Sequence, residues 1–148
     1  MRNDVDGSHC LDMFAGSGAL GFEALSRGAA HVTFLDTNPA IKRYLLQTLQ
    51  RLNAPNAAVH SGDALQFSID PGNPFDIVFL DPPYGENLLS QVAARLEASG
   101  WLAPHAVVYL ECSSQQPLPL LPLNWQLCKS KSAGQVGYHL IRRQPPGV

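Results

Sequence analysis

The run Phe75-Asp-Ile-Val-Phe-Leu-Asp-Pro-Pro-Tyr84 constrains the fold of this chain more than any other stretch. From Phe75 to Leu80 only Asp76 is not apolar. Such a run suits a strand buried on both faces, the condition of a central strand in a parallel sheet. Asp81-Pro82-Pro83-Tyr84 then stands at the carboxyl end of that strand, where open α/β sheets bind their ligands. Asp81 can accept a hydrogen bond from an amino group. The prolines have no N–H and a fixed φ, so the carbonyls beside them are held without competing donors. Tyr84 offers a flat face for stacking. Together these groups suit a planar molecule with an exocyclic amine, such as a nucleobase. The plainer alternative is a Pro-Pro turn in which Asp81 caps the next segment.

The rest of the chain alternates strands and helices. His9–Phe14 predicts a first strand, Ala19–Arg27 a helix stopped by Gly28, and His31–Leu35 a second strand ending at Asp36. Asn38–Leu52 reads as a helix with Ile41, Leu45, Leu49 and Leu52 on one face and Pro39 in its first turn. Ala57–His60 is a short third strand, Phe75–Leu80 the fourth, Leu88–Leu96 a helix and Ala106–Glu111 the fifth strand. Gln115–Asn124 is rich in Pro and Leu and cannot stay regular for long. Trp125–Lys131 and Gln135–Arg142 flank Ser132-Ala133-Gly134 and predict a closing β-hairpin. The expected fold is α/β and Rossmann-like: one domain over residues 1–148, a mostly parallel seven-stranded sheet with a C-terminal antiparallel hairpin, and helices on both faces.

Composition removes several function classes. No apolar run approaches the ~20 residues that span a bilayer. The polar start, Met1-Arg-Asn-Asp-Val-Asp-Gly7, lacks a signal-peptide core, so a cytoplasmic setting is expected. Cys10, Cys112 and Cys128 have no metal-ligand spacing and read as free, mostly buried thiols. The net charge of −2 is not that of a protein gripping naked nucleic acid by its phosphates. Lys129, Lys131, Arg142 and Arg143 do gather late in the chain, a cluster that a solvated edge strand also explains.

A second motif lies at the first strand. Asp12-Met-Phe-Ala-Gly-Ser-Gly-Ala-Leu-Gly21 contains Gly16-x-Gly18-x-x-Gly21 between a strand and a helix, as a nucleotide-binding turn requires. Asp36, at the end of the second strand, can take both hydroxyls of a ribose. These features fit NAD as well as S-adenosylmethionine (SAM). Three details favour SAM. Asp12 would repel a pyrophosphate but suits a ligand carrying an ammonium and a sulfonium. Asp63 can accept from an adenine amino group beside the Ala64 N–H. An amine-binding tetrapeptide comes later, at the fourth strand. Helix-end charge compensation, a Gly-Asp turn and a helix cap are the plain readings of Asp12, Asp63 and Asp36.

Asp12–Gly21, Phe34-Leu-Asp36, Gly62-Asp63-Ala64 and Phe75–Tyr84 resemble the motifs of class I SAM-dependent methyltransferases acting on amino groups. Ala24-Leu-Ser-Arg-Gly-Ala29, Trp101-Leu102, Tyr109-Leu-Glu111 and Gly134-Gln-Val-Gly-Tyr138 narrow the resemblance to the bacterial RsmD family. That family methylates the guanine N2 of one nucleotide in small-subunit (16S) ribosomal RNA. The resemblance implies that Asp12, Phe14, Ala15, Gly16, Ser17, Gly18, Asp36, Asp63 and Ala64 hold SAM. It implies that Asp81, Pro82, Pro83 and Tyr84 form the acceptor site, with Asp81 and the Pro82 carbonyl taking the two N–H bonds and Tyr84 stacking on the base. No metal is implied. The implied partner is ribosomal RNA, within an assembled or assembling small subunit, and the implied state is a monomer. The family also carries an Arg- and Thr-rich segment upstream of the first strand, whereas about nine residues precede it here.

Other readings share these residues. A DNA adenine-N6 methyltransferase would use the same tetrapeptide, as would a protein-amine methyltransferase. An RNA- or ribosome-binding module could keep the fold with impaired turnover. A NAD-dependent oxidoreductase could use the glycine turn alone, but no Ser/Tyr/Lys or His/Asp set is placed for hydride chemistry.

Overall fold

The computed structural model describes residues 5–68, 72–82 and 88–145. Strand β1 (His9–Met13) leads into helix α1 (Ala19–Ser26), β2 (His31–Asp36), α2 (Pro39–Arg51) and β3 (Ala57–Ser61). Then come β4 (Phe75–Leu80), α3 (Leu88–Ser99), β5 (Leu102–Ser113), β6 (Trp125–Ala133) and β7 (Val136–Arg143). The strands form one sheet in the order β3-β2-β1-β4-β5-β7-β6. Pairing is parallel from β3 to β5 and antiparallel from β5 through β7 to β6.

Alternation along each strand makes two cores. Cys10, Val32, Phe34, Val59, Ile77 and Phe79 meet Ala24 of α1 and Leu45 and Leu49 of α2 on one face. Leu11, Met13, Leu35, Val78, Leu80, Val108 and Leu110 meet Leu89, Val92, Ala93 and Leu96 of α3 on the other. The expected mostly parallel seven-stranded sheet, with its closing antiparallel hairpin and helices on both faces, is the observed one. Phe34 is wholly buried, worth on the order of 2–3 kcal/mol by area alone. It also sets how closely α1 approaches. A Cβ on Gly21 would stand 2.2 Å from the Phe34 ring, so only glycine lets the helix lie there.

Boundaries differ from expectation where backbone irregularity is invisible in a hydrophobic pattern. β5 starts at Leu102, not Ala106. Leu102 pairs with Phe75, the register then shifts, and Val107 pairs with Ile77; Pro104, without an N–H, falls in the gap. The hairpin turns at Gly134-Gln135, later than expected, because Gly134 supplies a positive φ of 60°. Leu52 is not on the buried face of α2: it comes after the last turn and is 61% exposed. Of the three thiols only Cys10 is buried; Cys128 is exposed at an irregularity of β6.

One ion pair ties the hairpin to α3. Arg143 donates from Nε to Glu97 Oε1 (2.7 Å) and from Nη2 to Oε2 (2.8 Å), while Trp125 Nε1 donates to Oε1 (2.8 Å). The Arg143 hydrogen bonds, with smaller help from Trp125 and Asn124, hold Glu97 down to about 2 against the opposing effect of burial. Arg143 thus has a structural partner and leaves the late basic cluster.

Candidate active site

The sheet changes direction of travel between β1 and β4, since the chain runs outward from β1 through β2 to β3 and then returns to β4. Such a switch point opens a crevice at the strand ends. The register lines up Met13 with Leu35, Met13 with Leu80, and Leu80 with Leu110. The residues just beyond those pairs are Phe14, Asp36, Asp81 and Glu111, and all four line one cleft of about 690 Å³ with Asp63 and Pro82. Its size suits a ligand the size of a nucleoside cofactor.

The glycine turn is braced from below. Ala15 N–H donates to the Leu35 carbonyl (2.9 Å), Gly18 N–H to the Ala15 carbonyl (2.8 Å), and Gly16 N–H to Asp36 Oδ2 (3.0 Å). Gly18 (φ 80°) begins α1, where an added Cβ would strike Phe22 and Leu45. Phe14 also has a positive φ, 61°, in a region that aromatic residues rarely enter. Such strain persists only where its surroundings impose it, and it clusters at ligand sites. Ser17 lies exposed between the two glycines.

Asp12 sits differently from its expected place at the ligand. It is 3% exposed, beneath the turn, and its Oδ2 accepts the Gly21 N–H at 3.1 Å. It thereby satisfies an N–H in the first turn of a helix whose Gly18 cap has no side chain to do so. Burial pushes its carboxyl up to about 7; the Gly21 bond opposes this, and Asp81 and Asp36 add to it. Any influence of Asp12 on a ligand is therefore exerted through the turn and through charge.

Asp36 uses Oδ2 on Gly16 and Oδ1 on the Asn38 N–H (3.0 Å). Each oxygen keeps a further acceptor position. Asp63 accepts the Leu65 N–H through Oδ1 (2.8 Å), and Gly62 N–H donates to the Asp36 carbonyl (3.0 Å), which joins the two acidic turns. Ala64 packs its methyl group into the α3-side core.

Asp81 and Pro82 come directly after β4 and enter the cleft. Pro83 and Tyr84 lie outside the described residues. The Asp81 carboxyl is pushed up to about 7 by partial burial, by a hydrogen bond with Glu111 and by the charge of that residue. Glu111 is a cleft residue to which the sequence motifs assign no role of its own. The available signal was its place: like Asp36 and Asp81, it is an acid at the end of a run of buried strand residues. Asp81 and Glu111 also border a second cleft, of about 680 Å³, on the α1 side of the sheet near Lys129, Lys131 and Tyr138.

The cleft's described lining contains four acids, Asp36, Asp63, Asp81 and Glu111, and no Lys or Arg. A pyrophosphate would meet only repulsion there, whereas a cationic ligand is favoured. The family model described as conserved hypothetical protein 95 matches residues 1–142. Ribosomal RNA small subunit methyltransferase D of Escherichia coli K12 is 45% identical over 140 residues, 95% of this chain and 71% of that protein. The chain belongs to the RsmD-type methyltransferase family. The enzyme of the same name from Haemophilus influenzae is 45% identical over 139 residues, 91% of this chain and 72% of that protein. The solved structure of yhhF from Escherichia coli, 44% identical, superposes with a TM-score of 0.90 and covers 95% of this chain and 79% of its own. As an RsmD-type methyltransferase, the protein places its acidic cleft at the same strand ends where the family motifs lie.

Proposed function

We propose that this chain transfers a methyl group from SAM to the exocyclic N2 amine of a guanine in small-subunit (16S) ribosomal RNA. The acidic cleft at the switch point carries the reading: among the described residues four carboxyl groups and no Lys or Arg line a ligand space at the ends of β2, β3, β4 and β5. The relatives' names point to ribosomal RNA as substrate, and the DNA adenine-N6 alternative is not favoured.

SAM fits the donor set. Gly16 offers open space, with nothing closer than 4.0 Å to a notional Cβ. Phe14, Ala15, Gly16, Ser17 and Gly18 would form its cradle, Asp36 would accept from the ribose hydroxyls, and Asp63 with the Ala64 N–H would meet the adenine. When bound, SAM supplies an electrophilic methyl group. The guanine N2 lone pair is delocalised and weakly nucleophilic. Asp81 and the Pro82 carbonyl accept its two N–H bonds, which favours a more tetrahedral nitrogen and aims the lone pair. Tyr84 stacks on the unstacked base, worth about 1–3 kcal/mol. Positioning and the charge of Asp81 lower the barrier.

The recipient is an assembled or assembling subunit, because a net charge of −2 provides little phosphate affinity. The chain acts as a monomer of one domain, residues 1–148, in the cytoplasm. The test is Asp81→Ala. Methyl transfer to unmethylated small ribosomal subunits should fall at least about 100-fold, while calorimetric affinity for S-adenosylhomocysteine stays near wild type. Equal loss of both would refute the assignment of Asp81 to the acceptor amine.

A further inference from the structure

Asp81 and Glu111 sit on neighbouring parallel strands, each one residue past the Leu80–Leu110 pair. Both side chains line the same cleft, and the nearness of Glu111 is one of the influences that raise the Asp81 carboxyl. Two ionised carboxylates have only acceptors to offer, so a hydrogen bond between them forms only once one of them has taken a proton. The two residues are held unequally. Glu111 lies within β5, which continues to Ser113, and is paired with Tyr138 of β7. Asp81 has left β4 and precedes Pro82.

We propose that Glu111 is a positioning residue that acts through Asp81: from β5 its carboxyl stands beside that of Asp81 and completes a two-carboxyl acceptor for the proton that the amine gives up. This rests on the methyl-transfer reading above. The balance is simple. As the N–C bond forms, the C–S bond of the donor breaks and its electron pair stays on sulfur. The nitrogen, now positive, releases one proton to Asp81, and the N–H electrons return to it as its lone pair. Asp81, now an acid, hydrogen-bonds to ionised Glu111, which disperses the proton between them until solvent takes it. Transfer therefore needs the pair empty of its shared proton at the start.

The surroundings set where that proton leaves. Partial burial and Glu111 raise the Asp81 carboxyl to about 7. Asp12 of β1 interacts with Asp81 and Asp36, and Asp63 lines the same cleft. Glu23 of α1 and Lys129, Lys131, Tyr138 and His139 of the hairpin line the second cleft, which Asp81 and Glu111 also border. Cys112, beside Glu111, has its thiol pushed up by burial and by that charge. Acids dominate near the pair, so removing the Glu111 charge should ease ionisation of Asp81.

The experiment measures single-turnover methyl transfer to unmethylated small ribosomal subunits from pH 5 to 9, with the full chain as wild type, Glu111→Gln, Glu111→Asp and Asp81→Ala. Wild type should rise through a limb near neutrality. In E111Q that limb should move about one to three units lower, with a reduced plateau and an unchanged KM for the subunit, while E111D keeps the wild-type limb. S-adenosylhomocysteine affinity, measured over the same range, should keep the same pH midpoint in wild type and E111Q, which separates the pair from Asp12. An unmoved limb in E111Q beside an inactive D81A would overturn the role of Glu111 alone. Full activity of D81A would overturn the methyl-transfer assignment of Asp81 and this inference with it. Carboxyl-carbon NMR of Asp81 reads the pair without turnover. Its midpoint should fall in E111Q, and the same midpoint in both chains would overturn the proposal.

Discussion

The two ends of this sheet treat carboxyl groups in opposite ways. At one end, Glu97 receives a bidentate Arg143 and the Trp125 N–H, and is held down to about 2. At the other, Asp81 faces Glu111 rather than a cation and is pushed up to about 7, as is Asp12 beneath the turn. The first end is a latch in which charge is matched. The second keeps like charges together, at a cost in stability that a cationic ligand or an amine can relieve. Sites that bind and react are expected where such mismatch is concentrated.

Arg143→Ala should break the latch with the largest effect on folding. The partners keep 12% and 19% of their side-chain surface exposed, so the loss is put below that of a fully buried pair, at about 2–3 kcal/mol. Chemical unfolding should show it, together with a lower Tm. A cleft that loses S-adenosylhomocysteine affinity to the same degree as the hairpin loses stability would erase the distinction between the two ends.

Acid should weaken the same latch. The folded Glu97 carboxyl lies below its ordinary 4.5, so its contribution is whole above pH 4.5 and is lost as pH falls toward 2. The stability gap between wild type and R143A should therefore narrow over that window, as measured by urea unfolding at successive pH values.

Asp12→Asn should have the smallest effect and the opposite sign. The folded Asp12 carboxyl lies above its ordinary 3.8, so its favourable contribution is complete below about 3.8 and is lost as pH rises through 7. Asn keeps an oxygen for Gly21 N–H without the charge. It should gain on the order of 1 kcal/mol at pH 8, since the buried amide needs partners of its own. No gain at pH 8 relative to pH 4 would show that the turn tolerates the charge.

Much of the fold was legible because burial on both faces leaves a continuous apolar run, as in Phe75–Leu80, and because Gly16, Gly18 and Gly21 punctuate a strand–helix joint. Asp36, Asp63 and Asp81 were legible as acids at strand ends. The early start of β5 was hidden by Pro104, and the exposure of Leu52 by a helix that ends one residue before it.

Local pattern thus determined the strand–helix alternation, the glycine turn and the order of acids along the chain, because each depends on residues within a few positions of one another. Only the tertiary structure decided that Glu111 stands beside Asp81 and that Arg143 belongs to Glu97. Those outcomes depend on strand order and register. Residues 30 or more positions apart become neighbours only when the sheet closes, and a short pattern carries no information about that distance.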